Sequence, residues 1–158
     1  MKMKNLTAFL AIVTLAVLPA VAADDDDNAV LDSYTAVSTA LANDDLSTAR
    51  KEASNLAENA KADGDSEISR HASELAECES LDAAREQFKA MSDEATTLAK
   101  GSDKYHVMTC PMAKATWVQT GEKLMNPYMG KKMQQCGSMM KAEKEGSAEM
   151  MSCCTKAS

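Results

Sequence analysis

At 158 residues the chain has the length of one ordinary domain with a modest core, not of two cores. Asp and Glu number 24 against 17 Lys and Arg, a formal net charge of −7 that argues against nucleic acid and anionic membrane surfaces as partners. Aromatics are only 4% of the residues while Ala is abundant and Met numbers 12, a composition suited to helices packed through small side chains rather than to a sheet.

Lys2 and Lys4 precede an apolar run from Leu6 to Val21 that closes on Ala20-Val21-Ala22-Ala23, the order of a secretory signal peptide. Residues 1–22 are therefore expected to be removed, leaving a secreted or periplasmic product that begins at Ala23 or Asp24 with a net charge of about −9. The run is short for a retained membrane anchor, and no other stretch approaches the length of a bilayer span.

Val30, Tyr34, Val37 and Leu41 recur at spacings of four and three and predict a first amphipathic helix. Asn43-Asp44-Asp45 interrupts it and offers Asp44 as the cap of a second, carried by Leu46, Ala49, Ala53, Leu56 and Ala60. After the turn at Asp63-Gly64-Asp65, Ile68, Ala72 and Leu75 mark a third. Ser80 caps a fourth that runs through Leu81, Ala84, Phe88, Met91, Ala95 and Leu98 towards Gly101. The expected fold is all-α: an up-and-down antiparallel bundle of about four helices, followed by a loop-rich Cys/Met segment with one short helix. Residues 28–140 would form this domain and residues 141–158 a flexible Met/Cys tail. His71 lies at the margin of its helix's apolar stripe, and Cys78 reads as a small buried hydrophobe.

The chemistry is concentrated between Tyr105 and Gly137. Tyr105 to Met112 reads as extended, with Pro111 fixing its backbone, so that His106, Met108, Cys110 and Met112 share one side. Packing of Met108 and Met112 against the end of the bundle is the plainer alternative, and Trp117 is the natural plug there. Asn126-Pro127-Tyr128-Met129-Gly130 forms a turn, and Lys131 onward suggests a helix presenting Met133 and Cys136 on one face. Folded together, Cys110, Met112, Met133 and Cys136 would give two thiolates and two thioethers, soft donors that select Cu(I). His106, Met108, Met129 or Met140 could replace one thioether.

Two alternatives stand beside metal binding. The first reads Cys110 and Cys136 as a disulfide that pins the segment to the bundle in an interaction module, worth about 3 kcal/mol by loop entropy. The second reads Cys110 as an enzymatic thiol with His106 as its base, although no triad, phosphate loop or Cys-x-x-Cys motif supports it. Five cysteines, two of them adjacent at Cys153-Cys154, do not make a simple set of internal pairs.

Asn43-Asp44-Asp45-Leu46, Ala84-Arg85-Glu86-Gln87-Phe88, Cys110-Pro111-Met112-Ala113, Trp117-Val118-Gln119, Asn126-Pro127-Tyr128 and Met133-x-x-Cys136-Gly137, in that order, carry a resemblance over roughly residues 30–139. The chain resembles a family of exported domains of unknown function found alone or fused to the periplasmic adaptor subunits of heavy-metal efflux systems. The resemblance implies a helical, non-enzymatic domain that binds copper or a similar soft cation through Cys110, Met112, Met133 and Cys136, with components of such an efflux system as partners and a role in heavy-metal resistance. Two positions depart from the family pattern: Met129 stands where an aromatic is usual, and the stretch between Ala113 and Trp117 is short.

Overall fold

The computed structural model describes residues 28–140; the expected signal peptide, its cleavage point and the Met/Cys tail lie outside the described residues. Five α-helices come first: α1 (Ala29–Ala42), α2 (Leu46–Asp63), α3 (Ser66–Ala76), α4 (Leu81–Ala90) and α5 (Ser92–Leu98). Three strands follow: β1 (Tyr105–Cys110), β2 (Ala115–Thr120) and β3 (Ser138–Met139). The protein is mostly helical but not all-α, because the Cys/Met segment folds into a small antiparallel sheet of order β2-β1-β3.

The apolar stripes legible in the sequence form the core. Val30, Tyr34, Val37 and Leu41 of α1, Ala49, Ala53, Leu56 and Ala60 of α2, and Ile68, Ala72 and Leu75 of α3 are all buried. Alanines at the contacts allow close helix approach, and each helix packs on the next in sequence. Four N-caps satisfy the free N–H groups at helix starts: Asn28, Asp45, Asp65 and Ser80 accept from Leu31, Thr48, Ile68 and Ala83. The cap of α2 is thus Asp45, not Asp44. Asp44 instead takes a left-handed backbone conformation with φ 53°, one that aspartate adopts more readily than most residues.

The expected fourth helix is two helices. Ser92 Oγ turns back to the carbonyl of Phe88 at 2.9 Å, four residues earlier, and the chain re-starts as α5. The same hydroxyl lies 2.9 Å from Tyr34 Oη and 2.7 Å from Tyr128 Oη, so the break serves a buried polar junction between α1, α5 and the loop that carries the second cysteine. Tyr128 in turn donates to the Thr116 carbonyl at 2.7 Å. An aromatic run continues the junction, with ring centroids 4.5 Å apart for Tyr34 and Phe88, 5.9 Å for Phe88 and Tyr128 and 6.1 Å for Trp117 and Tyr128.

The loop after β2 is fastened to the bundle from below. Arg85 on α4 donates to the carbonyls of Pro127 and Leu41 and to Asp44 Oδ1 at 2.8, 3.1 and 2.6 Å, while the Lys131 N–H reaches Asp44 Oδ2 at 3.1 Å. Gly130 sits directly over this clamp with φ 56°; a Cβ there would collide with Asp44 Oδ1. One charged cluster therefore joins the α1–α2 turn, α4 and the loop.

Candidate functional site

β1 delivers Cys110 at its C-terminal end, where it pairs with Ala115 across a tight connection to β2. The connection is Pro111-Met112-Ala113-Lys114, with Lys114 left-handed at φ 49°. Pro111 has no N–H and a fixed φ, and the N–H groups of the next two residues, Met112 and Ala113, act as donors towards the Cys110 sulfur and lower its pKa. The Asn126 side chain and the Cys136 thiol, whose sulfur is 3.3 Å away, act in the same direction. Burial works to push the Cys110 thiol up, but this shell of donors outweighs it and holds the pKa below the ordinary thiol value.

Cys136 arrives from the other direction and not on a helix. The expected helix after Lys131 is a single 3-10 turn, Gly130–Lys132, and Met133 already has an extended-side φ of −145°. Met133 and Cys136 are therefore not three-apart neighbours on a helix face; the Cys136 N–H bonds the Met133 carbonyl at 2.9 Å across a turn. Gly137, with φ 135°, then lets the chain enter β3, where Met139 pairs with Met108 and the Met140 N–H bonds the Val107 carbonyl at 2.8 Å. Met140 consequently does not extend any helical face from Cys136.

The result is a cluster of three sulfurs. Cys110 Sγ lies 3.3 Å from Cys136 Sγ, and Cys136 Sγ lies 3.6 Å from Met112 Sδ. Both thiols are free. The Cys136 pKa is raised, chiefly by its hydrogen bond to Cys110, then by burial and by the neighbouring sulfur's charge. The opposite shifts belong to one coupled pair, the contact between the two sulfurs favouring the thiolate at Cys110 over the thiolate at Cys136.

Asn126 is fully buried and holds the cluster together. Its Oδ1 accepts from the N–H groups of Tyr128 and Met129 at 2.9 and 3.1 Å, its Nδ2 donates to the Cys136 carbonyl at 2.6 Å, and its own N–H bonds the Gln134 carbonyl at 2.7 Å. Gln119, also buried, does the same for the approach to Asn126, accepting from Trp117 Nε1 and the Met125 N–H and donating to the Gly121 and Lys123 carbonyls. Sequence reading saw Asn126 only as a turn former and gave Gln119 no role; a non-periodic Asn-Pro between two cysteines is the one sign that this turn organises both.

Of the six positions singled out in the sequence, Cys110, Cys136 and Met112 come together. Met112 is 62% exposed and Met133 40% exposed. Met108 is wholly buried between Trp117 and Met139 in the sheet register and packs in the core. His106 pairs with Gln119 near the far end of β1, and four residues of extended chain set it about 13 Å from Cys110 between Cα atoms, so it is not placed to act as that thiol's base. Cys78 is half-buried rather than core, with its thiol donating to the Glu74 carbonyl at 3.4 Å. His71 is a boundary residue as expected, bonded through Nδ1 to Gln87.

The donor set fits a soft ion. Among the described residues no three His, Cys, Asp or Glu side chains gather around one point, so an ion held here would need the Met112 thioether beside the two thiols, a donor set suited to Cu(I) rather than to Mg(II) or Ca(II).

Residues 30–106 match the model of a family described as "Protein of unknown function (DUF3347)". That stretch is a domain of unknown function. The matched domain comprises all five helices and the start of β1, and it stops four residues before Cys110. No curated protein and no solved structure matches the chain.

Proposed function

We propose that this chain is an exported protein that binds Cu(I), or an ion of similar softness, through Cys110, Cys136 and Met112, and buffers it or hands it on outside the cytoplasm. The observation that carries the reading is the approach of three sulfurs within 3.3 and 3.6 Å on two segments, the second of which is held in shape by Asn126. The Cys110 pKa is lowered from the ordinary thiol value, which favours the thiolate form that ligates metal. The exposed Met112 thioether opens the cluster to an incoming ion or to a partner's ligand. Met133, also exposed and joined to Cys136 through the backbone, is a candidate for a fourth donor. Export rests on the Lys2 to Ala23 pattern, and a heavy-metal efflux component as recipient rests on the family resemblance. Among the described residues no helix is long and apolar enough to cross a membrane.

The test is competition with a chromogenic Cu(I) chelator on reduced, full-length protein carrying Cys153→Ser and Cys154→Ser, so that the tail thiols do not contribute. Cu(I) should be withdrawn from the chelator by one chain per ion, and excess Mg(II) or Ca(II) should not release it. Failure to compete at all would leave the second reading, a Cys110–Cys136 disulfide fastening the sheet to the loop. The same 3.3 Å separation favours that reading in an oxidising compartment.

A further inference from the structure

Two free thiols this close are also a two-electron donor. We propose that Cys110 and Cys136 reduce Cu(II) to Cu(I) and that the methionines around them retain the reduced ion. This rests on the copper reading above for its substrate. In the reaction each thiol passes one electron to one Cu(II); the two sulfurs join in a single S–S bond, two Cu(II) become two Cu(I), and two protons leave to solvent. No further oxidant or reductant is needed. The sulfurs are 3.3 Å apart and need only close to the roughly 2.05 Å of a disulfide. Cys136 is partly exposed and so open to an aqueous ion, whereas Cys110 is buried behind it.

The surroundings suit a soft product. Oxidation consumes both thiols but leaves the Met112 thioether, 3.6 Å from Cys136 Sγ, unchanged. Among the described residues the exposed large apolar side chains are Met112, Met133, Met139 and Met140, all in the segment that carries the cysteines. The exposed Met112 thioether beside the dithiol, with further exposed thioethers in the same segment, offers neutral soft donors that favour Cu(I) over Cu(II) and so draw the electron transfer forward.

The experiment mixes reduced full-length protein carrying Cys153→Ser and Cys154→Ser with Cu(II) under anaerobic conditions in the presence of a Cu(I)-specific chelator. About two Cu(I) ions per chain should appear as the two-electron couple turns over once. Proteolysis and mass spectrometry should then recover the Cys110 and Cys136 peptides joined by a disulfide. Cys136→Ser should lose most of the Cu(I) yield, Cys78→Ser should leave it unchanged, and Met112→Leu should keep the yield while releasing Cu(I) to the chelator faster. The inference is overturned if Cys110 and Cys136 are both alkylated when the protein is denatured after Cu(II) treatment, a readout on the parent protein that does not depend on any variant folding. It is overturned equally if Cys136→Ser yields as much Cu(I) as its parent. Cu(I) supplied directly to the same reduced protein separates the two claims: binding without reduction removes only this inference, and reduction without binding removes the buffering role while leaving the dithiol as an electron donor.

Discussion

The Asn126 side-chain amide donates to the carbonyl of Cys136 at 2.6 Å from a position with no exposure to solvent, while its Oδ1 accepts from the Tyr128 and Met129 N–H groups. One side chain thus fixes the loop that brings Cys136 to 3.3 Å from Cys110, 26 residues earlier in the chain. Replacement by Ala leaves the Tyr128 and Met129 N–H groups and the Cys136 carbonyl without their partner in a partly buried loop. Asn126→Ala should cost about 2–4 kcal/mol in urea unfolding, since each buried unsatisfied group costs about 1–3 kcal/mol. A loss below about 0.5 kcal/mol would show that the loop is held some other way.

Two glycines with positive φ separate strain from crowding. Gly64, with φ 91°, has open space where a Cβ would stand, whereas at Gly137, with φ 135°, a Cβ would lie 2.6 Å from the Thr109 carbonyl oxygen and 3.0 Å from Trp117 Cη2. Gly64→Ala should destabilise by about 1 kcal/mol from backbone strain alone. Gly137→Ala should cost more, about 2–3 kcal/mol, and should also disturb the β1–β3 pairing next to Cys136. Thermal melts with tryptophan fluorescence would rank the two; equal losses would contradict the close contact at Thr109.

The Asp44 clamp predicts a pH signature. Partial burial works to raise the Asp44 pKa, but the Arg85 guanidinium and the Lys131 N–H lower it further, so the folded value lies below the unfolded one. A depressed carboxylate contributes stability above the unfolded value of about 3.9 and loses it as pH falls through the folded value. Asp44→Asn should therefore be less stable than the parent at neutral pH, with the gap closing in acid. A gap that persists unchanged at the lowest pH at which both fold would show that the charge is not what fastens the loop.

The helices were legible because their signal is local. A stripe such as Leu46, Ala49, Ala53, Leu56 and Ala60 repeats at the helical period, and all but the partly buried Leu46 are buried. The break at Met91 was not legible, since it depends on Ser92 meeting Tyr34 and Tyr128, which are 58 and 36 residues away. The sheet was missed for the same reason. β1 reads as extended by itself, but β3 is two residues long and exists only because Gly137 turns the chain back against Met108 and Thr109. Residue type identified Cys110, Cys136 and Met112 as soft donors, and Pro111 marked a stiff turn. The helical spacing invoked for Met133 and Cys136 was the wrong geometry, because the chain leaves the 3-10 turn before Met133.

The central claim is that Cys110 and Cys136 act on one ion. A double-mutant cycle for Cu(I) affinity tests it most directly, using Cys110→Ser, Cys136→Ser and the double variant in the protein without tail thiols, each checked for helical content by circular dichroism. Ligands of a shared ion are not additive. Each single variant should lose at least tenfold in affinity, about 1.4 kcal/mol, and the double variant should lose little more than the worse single one. Affinities that stay at the parent value in both single variants, or losses that simply add, would contradict a shared site at these two sulfurs.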